Sequence, residues 1–143
     1  EGAVTVYDQD EAANLAKYGR LYNWPAVNTG KLCPSGWHVP TDAEWTALTD
    51  ELGGESVAGG KMKSSVTDTP AWNGTNESGF SGLPGGFRSS IGSFDFVGVY
   101  GFWWSSSPNG IEAWDRRLDA SDNIVGRIDH LQGFGFSVRC IRD

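Results

Sequence analysis

The sequence predicts an α+β domain: an early, partly helical region, then an antiparallel β half set in a loop-rich body. Three observations carry this. The stretch "PTDAEWTALTDELGG" (40–54) has the start and stop signals of a helix. From residue 79 onward the chain reads as short strands between turns. Twenty Gly and six Pro supply the punctuation that many short strands need and a helical bundle does not. The length of 143 residues fits one domain, 1–143, with enough chain to bury a core.

Residues 1–17 are polar and Ala-bearing. They read as a first strand and short helix, or as an N-terminal extension to a core spanning 18–143. "YGRLYNWPAV" (18–27) alternates aromatic and polar residues and ends at a Pro, as a strand running into a turn does. "CPSGWHVP" (33–40) is a loop. The helix over 42–52 follows: Thr41 is the N-cap and Glu44, three residues on, completes a capping box. Asp42 and Glu44 suit the positive end of the helix dipole, and Trp45, Leu48 and Leu52 share one face. Gly53 and Gly54 stop it. A Gly/Ser/Thr/Asn-rich loop fills 53–78, with a short helix at "GGKMKSS". Strands are expected at 79–88, 96–106, 112–120, 123–128 and 135–142.

Composition narrows function. Seven Trp argue against disorder. A net charge of −7 with only eleven basic residues makes a poor phosphate binder, so no nucleic-acid partner is expected. No apolar run approaches the ~18 residues of a membrane span, so direct membrane insertion is not expected. The start at Glu1 rather than Met suggests a fragment or processed product, with the rest of a larger protein N-terminal. Cys33 and Cys140 are either two buried free thiols or one long-range disulfide, which would stabilise by up to ~4–5 kcal/mol. Two Cys and two His lack metal-ligand spacing, and no metal or cofactor is expected.

Several motifs occur in a fixed order: "YNW", "CPSGWHVPTDAEWTALTDELGG", "AGGKMK", "NESGFSGLPGGFR", "YGFWWSS" and "GFSVRC". From Tyr18 to Asp143 this string resembles the Fibrobacter succinogenes major paralogous domain, a C-type-lectin-like module. "HVPTDAEW" and "GLPGGFR" also resemble the core of the formylglycine-generating enzymes. The resemblance implies a C-type-lectin-like fold, with a small twisted antiparallel sheet, flanking helices and long ordered loops. It also implies export to the surface of Bacteroidota-type cells. An oxidising compartment in turn favours the Cys33–Cys140 disulfide.

Catalysis is not expected. Both Cys fall in framework motifs rather than in a separate reactive pair, so the formylglycine chemistry does not carry over. His38 reads as a structural residue before the helix, and His130 has no motif around it. Asp115, Asp119, Asp122, Asn123 and Asp129 are oxygen donors in one region, but no lectin triplet or spaced calcium loop is present. They read as a solvated acidic surface.

The segment Trp114–Cys140 carries the functional signal. At period two, Trp114, Arg116 and Leu118 share one side with Val125 and Arg127, while Asp115, Arg117 and Asp119 fall on the other with Gly126 and Ile128. Trp114, Leu118 and Val125 suit an inward side, and the resemblance, whose family usually keeps Arg at the places of Arg116 and Arg127, implies that these two reach framework carbonyls or acids. The second set is expected to face solvent, with the loop Ala120–Asn123 at its rim. Asp115 to Leu131 contains no Lys, Glu, Gln, Met or Trp, and every residue there has a codon ending in C. Domains of the resembled family can be targets of diversity-generating retroelements, in which adenine-specific mutagenesis scatters an AAC codon into such triplets. Asp115, Arg117, Asp119, Ala120, Ser121, Asp122, Gly126, Ile128, Asp129, His130, Leu131 and Phe134 are therefore expected ligand-contact positions, open to diversification. An ordinary variable surface of chance composition is the alternative.

The expected function is a non-catalytic module of an exported surface protein, of adhesin, pilus-tip or receptor-binding type. Its partner would be a protein or glycan on a host or neighbouring cell. A structural module of a surface lipoprotein and a formylglycine-type oxidase are the other classes.

Overall fold

A computed structural model describes residues 1–143. The chain begins with β1 (Val4–Thr5), a 3-10 turn (Tyr7–Gln9), α1 (Glu11–Tyr18) and β2 (Leu21–Tyr22), which pairs back onto β1. This matches the expected first strand and helix. The region expected to be a strand up to residue 27 instead ends in α2 (Trp24–Val27). Asn23 is the reason: its side chain accepts from the Ala26 N–H, and Pro25 in the first turn lacks only a donor that a helix start leaves free.

After β3 (Trp37–His38) comes α3 (Asp42–Glu51), built as expected. Thr41 and Glu44 form the reciprocal capping box, and Trp45, Leu48 and Leu52 pack into a core. Helix α4 (Glu55–Met62) begins earlier than expected.

The main sheet comprises β4 (Gly85–Arg88), β5 (Phe94–Val97), β6 (Tyr100–Asn109), β7 (Glu112–Asp119) and β8 (Val125–Leu131), in the order β5-β4-β6-β7-β8. It is mixed, not purely antiparallel as expected. The chain reverses after β4 and again after β5, so β6 runs in the direction of β4. Because β6 takes the free edge of β4, that pairing must be parallel, and it is, at Gly86 opposite Gly101. The strand expected at 96–106 is split by the turn at Gly98–Val99, closed by Val99 N–H donating to the Phe96 carbonyl at 3.1 Å.

The last segment, 135–142, is not one strand either. Its start lies between β2 and the main sheet: Phe136 exchanges bonds with Tyr22, while Gly135 bonds with Arg88, and Ser137 with Phe102 and Trp104. Only its end, β9 (Ile141–Arg142), pairs regularly, with β3. The main-sheet backbone groups it meets were left open where β4 and β6 diverge.

Both sides of the sheet are covered at its middle. Trp103, Leu118 and Val125 pack with Trp45, Ala58 and Met62 of the helices on one side. Phe102, Trp104 and Ala113 pack with Trp24, Val27 and Phe136 on the other. Cys33 and Cys140 are disulfide-bonded, so the bridge rather than the free-thiol reading holds. No helix is long and apolar enough to cross a membrane.

Candidate ligand face on the last strand pair

The two sides of the β7–β8 ribbon separate as the alternation predicts. On the helix side, Arg116 donates to Asp42 Oδ1 at 2.8 Å and to Thr46 Oγ1 at 3.1 Å. Arg127 donates to Asp42 Oδ2 at 2.8 Å, and its guanidinium lies 3.6 Å from the Trp114 ring centroid. Partial burial disfavours ionisation of Asp42, but the hydrogen bonds from Arg127 and Arg116 outweigh it and hold the carboxyl below its ordinary range. The expectation that both arginines reach framework acids is met.

The loop after β7 is tied down more firmly than its composition suggests. Lys63, only 1 % exposed, donates to the main-chain carbonyls of Asp119 at 2.8 Å and Asp122 at 2.7 Å. Asp119 Oδ1 accepts from the Ser121 N–H and hydroxyl, and Asp122 Oδ1 from the Ile124 N–H. Gly59 donates to the Asn123 carbonyl at 2.9 Å, and a Cβ on Gly59 or Gly60 would run into Asn123 or Ile124. The pair of glycines in "AGGKMK" lets the loop lie against α4. Neither Lys63 nor this approach was read from the sequence, because a lysine normally signals an exposed surface.

On the other side of the ribbon, the cross-strand pairs are Arg117–Gly126, Asp115–Ile128 and Ala113–His130. Arg117, Gly126, Ile128 and His130 are half-exposed and share this face. The Arg117 guanidinium lies 5.3 Å from the Tyr100 ring centroid and makes no hydrogen bond or ion pair. Tyr100 packs 4.9 Å from Phe96, which is 51 % exposed and sits at φ 63, a left-handed conformation rare for an aromatic residue. Phe134 closes the far end, 5.3 Å from His130. Phe96 and Tyr100 are not among the positions expected from the sequence. The alternation Tyr100, Phe102, Trp104 was the available signal, since it places Tyr100 on the same side as the buried Phe102 and Trp104.

Asp115 and Asp119 require correction. Both were expected to face solvent, yet Asp115 is 0 % and Asp119 8 % exposed. The second core continues under this face, so Asp115 is covered by its surroundings, with Trp104 directly across the strand. The reading of these carboxylates as a solvated acidic surface fails for the same reason. Asp115 Oδ2 is 2.7 Å from His130 Nδ1, while Oδ1 is buried without a partner. Burial pushes the Asp115 carboxyl up to about 6, against the pull of the His130 hydrogen bond.

The remaining expected positions do not join one face. Asp129 and Leu131 lie on the helix side of the ribbon by parity. Asp129 accepts from Asn109 at 2.8 Å, and Leu131 is exposed at the strand end. Ala120 packs against the first core, Ser121 is exposed and Asp122 half-buried. No three His, Cys, Asp or Glu side chains converge to hold a metal. His38 bonds Asp143 at 2.6 Å and Glu44 at 2.9 Å, a link between the C-terminus and the start of α3. Those two partners, Asp143 first, raise its pKa.

A disulfide-bridged α+β domain with a mixed sheet, packed on both sides and open along one strand pair, is the class that fold and site define. The family model of the Fibrobacter succinogenes major domain matches residues 1–142, and the chain belongs to that family. No curated protein and no solved structure matches the chain.

Proposed function

We propose that this domain is a non-catalytic ligand-binding module of an exported surface protein, of C-type-lectin-like form. Its ligand face consists of Phe96, Tyr100, Arg117, Gly126, Ile128, His130 and Phe134. The observation that carries this reading is the contrast within one ribbon. On the helix side the arginines are engaged by Asp42, while on the open side Arg117 meets only the Tyr100 ring and makes no hydrogen bond or ion pair. Aromatic residues and Arg on a rigid bed are what binding hot spots use. The disulfide supports residence in an oxidising compartment. Family membership supports the further reading that the exposed positions are diversified by a retroelement. The coding sequence checks that part: codons for Arg117, Gly126, Ile128 and His130 should end in C, and a scatter of third bases would end it.

Binding itself is tested with an array of host glycans and surface proteins. Arg117→Ala and Ile128→Ala should each lower the signal of a ligand that the wild type retains. Retention of every ligand by the double variant would leave the module a structural spacer.

A further inference from the structure

The open face has a polar pair beneath it that the framework does not use. Asp115 is fully buried, with Oδ1 unpartnered and Oδ2 held by His130 Nδ1. A carboxylate left half-satisfied in a core is costly, and a hydrophobic residue would pack there without that cost. Nothing else nearby supplies a donor to it. The Arg116 guanidinium turns to Asp42 and reaches only the Asp115 main-chain carbonyl, at 3.2 Å. Asp129, the other charge bearing on Asp115, accepts from Asn109 of β6. The His130 ring is fixed by Phe102, Phe134 and Phe136, at 5.8, 5.3 and 5.1 Å. Its side chain is still 27 % exposed, and Nε2 has no partner in the protein without being buried.

A neutral imidazole carries one N–H. When Nδ1 donates it to Asp115, Nε2 keeps its lone pair. Resting on the ligand-face reading above, we propose that Asp115 is a positioning residue that locks His130 with Nε2 as an outward hydrogen-bond acceptor. The open face would thus take a neutral O–H or N–H donor of the ligand beside the apolar edge of Phe134. This explains why a buried carboxylate sits under an otherwise aromatic surface: it serves the tautomer, not the fold.

Ring-nitrogen NMR near pH 8 tests this without a ligand. In the wild type, the His130 Nδ1 signal should be of the protonated type and Nε2 of the lone-pair type. Asp115→Leu removes the acceptor and should move the proton to Nε2, the form free histidine prefers in water. Asp115→Asn, which keeps the side-chain shape, serves if the leucine variant does not fold, and should weaken the Nδ1–H preference. A wild-type ring protonated on Nε2, or a tautomer indifferent to both variants, would overturn the proposal. Titration with methyl pyranosides and with N-acetylserinamide at millimolar concentration then separates the sources of the donor. An Nε2 shift with the pyranosides alone assigns a sugar hydroxyl, and a shift with the amide alone a protein donor. No shift with either overturns the donor class.

On the array, Asp115→Leu and His130→Ala should each weaken binding about tenfold, the worth of one buried hydrogen bond. Binding lost in Arg117→Ala but intact in these two would overturn this inference and leave the ligand face standing. Binding intact in all three would remove both.

Discussion

The two sides of the β7–β8 ribbon share one backbone, yet they use their polar groups differently. On the helix side, Arg116 and Arg127 converge on Asp42. On the open side, Arg117 has only a ring face for company, and Asp115 keeps one oxygen unpaired in the interior. The lesson is that burial alone does not separate framework from function here, because Arg116 and Asp115 are equally inaccessible. Completeness of hydrogen bonding separates them. A satisfied buried charge holds the fold, and an unsatisfied one asks for another reason.

The strongest way to break this contrast is at Asp42. Asp42→Ala leaves the guanidinium of Arg116, 2 % exposed, with neutral partners only, and should cost about 3–5 kcal/mol in urea unfolding. A loss below about 1 kcal/mol would show that the helix side is not held by its ion pairs.

The second test is pH. Asp115 in the native state holds a proton up to about 6, whereas in the unfolded chain it releases it near 3.8. Between those values the native state binds more protons, so stability contributed by this group falls as pH rises through the window, by about 3 kcal/mol in all. Unfolding measured from pH 4 to 7 should show this decline in the wild type relative to Asp115→Asn. Parallel curves would place Asp115 among ordinary carboxylates.

A smaller effect is expected at Lys63. Burial lowers its pKa, with Asp122 and Asp119 opposing, so the ammonium sits in a poor medium but satisfies two carbonyls. Lys63→Met should cost about 2 kcal/mol and speed amide exchange across residues 120–124. Unchanged exchange there would mean that Gly59 and Gly60 alone anchor the loop. The smallest effect sharpens the comparison from the other side. Arg117→Ala removes a side chain with no hydrogen bond, so stability should change by no more than about 0.5 kcal/mol while ligand retention falls.

Much of the local structure was legible. The Thr41–Glu44 box, the apolar face of α3 and the period-two division of β7 are encoded within a few residues of each other, where covalent geometry alone sets the spacing. That Arg116 and Arg127 would reach an acid was legible too, but not that both would share Asp42. The candidate face was half legible. Parity grouped Arg117, Gly126 and Ile128, yet it said nothing of what lies over each side, so Asp115 and Asp119 were placed in solvent.

By itself the sequence determined the family, the α+β class, the capped helix and the two sides of the last ribbon, because each rests on local spacing or on a long ordered set of motifs. Only the tertiary structure decided the parallel β4–β6 pair and the threading of Phe136 between β2 and the sheet. It also decided the burial of Asp115 beneath His130. These depend on which distant segments meet, and contacts between residues such as Tyr22 and Phe136 leave no periodic trace in the chain. The open face is what remains after those long-range contacts are made, which is why the residues that compose it could be proposed from the sequence but not selected.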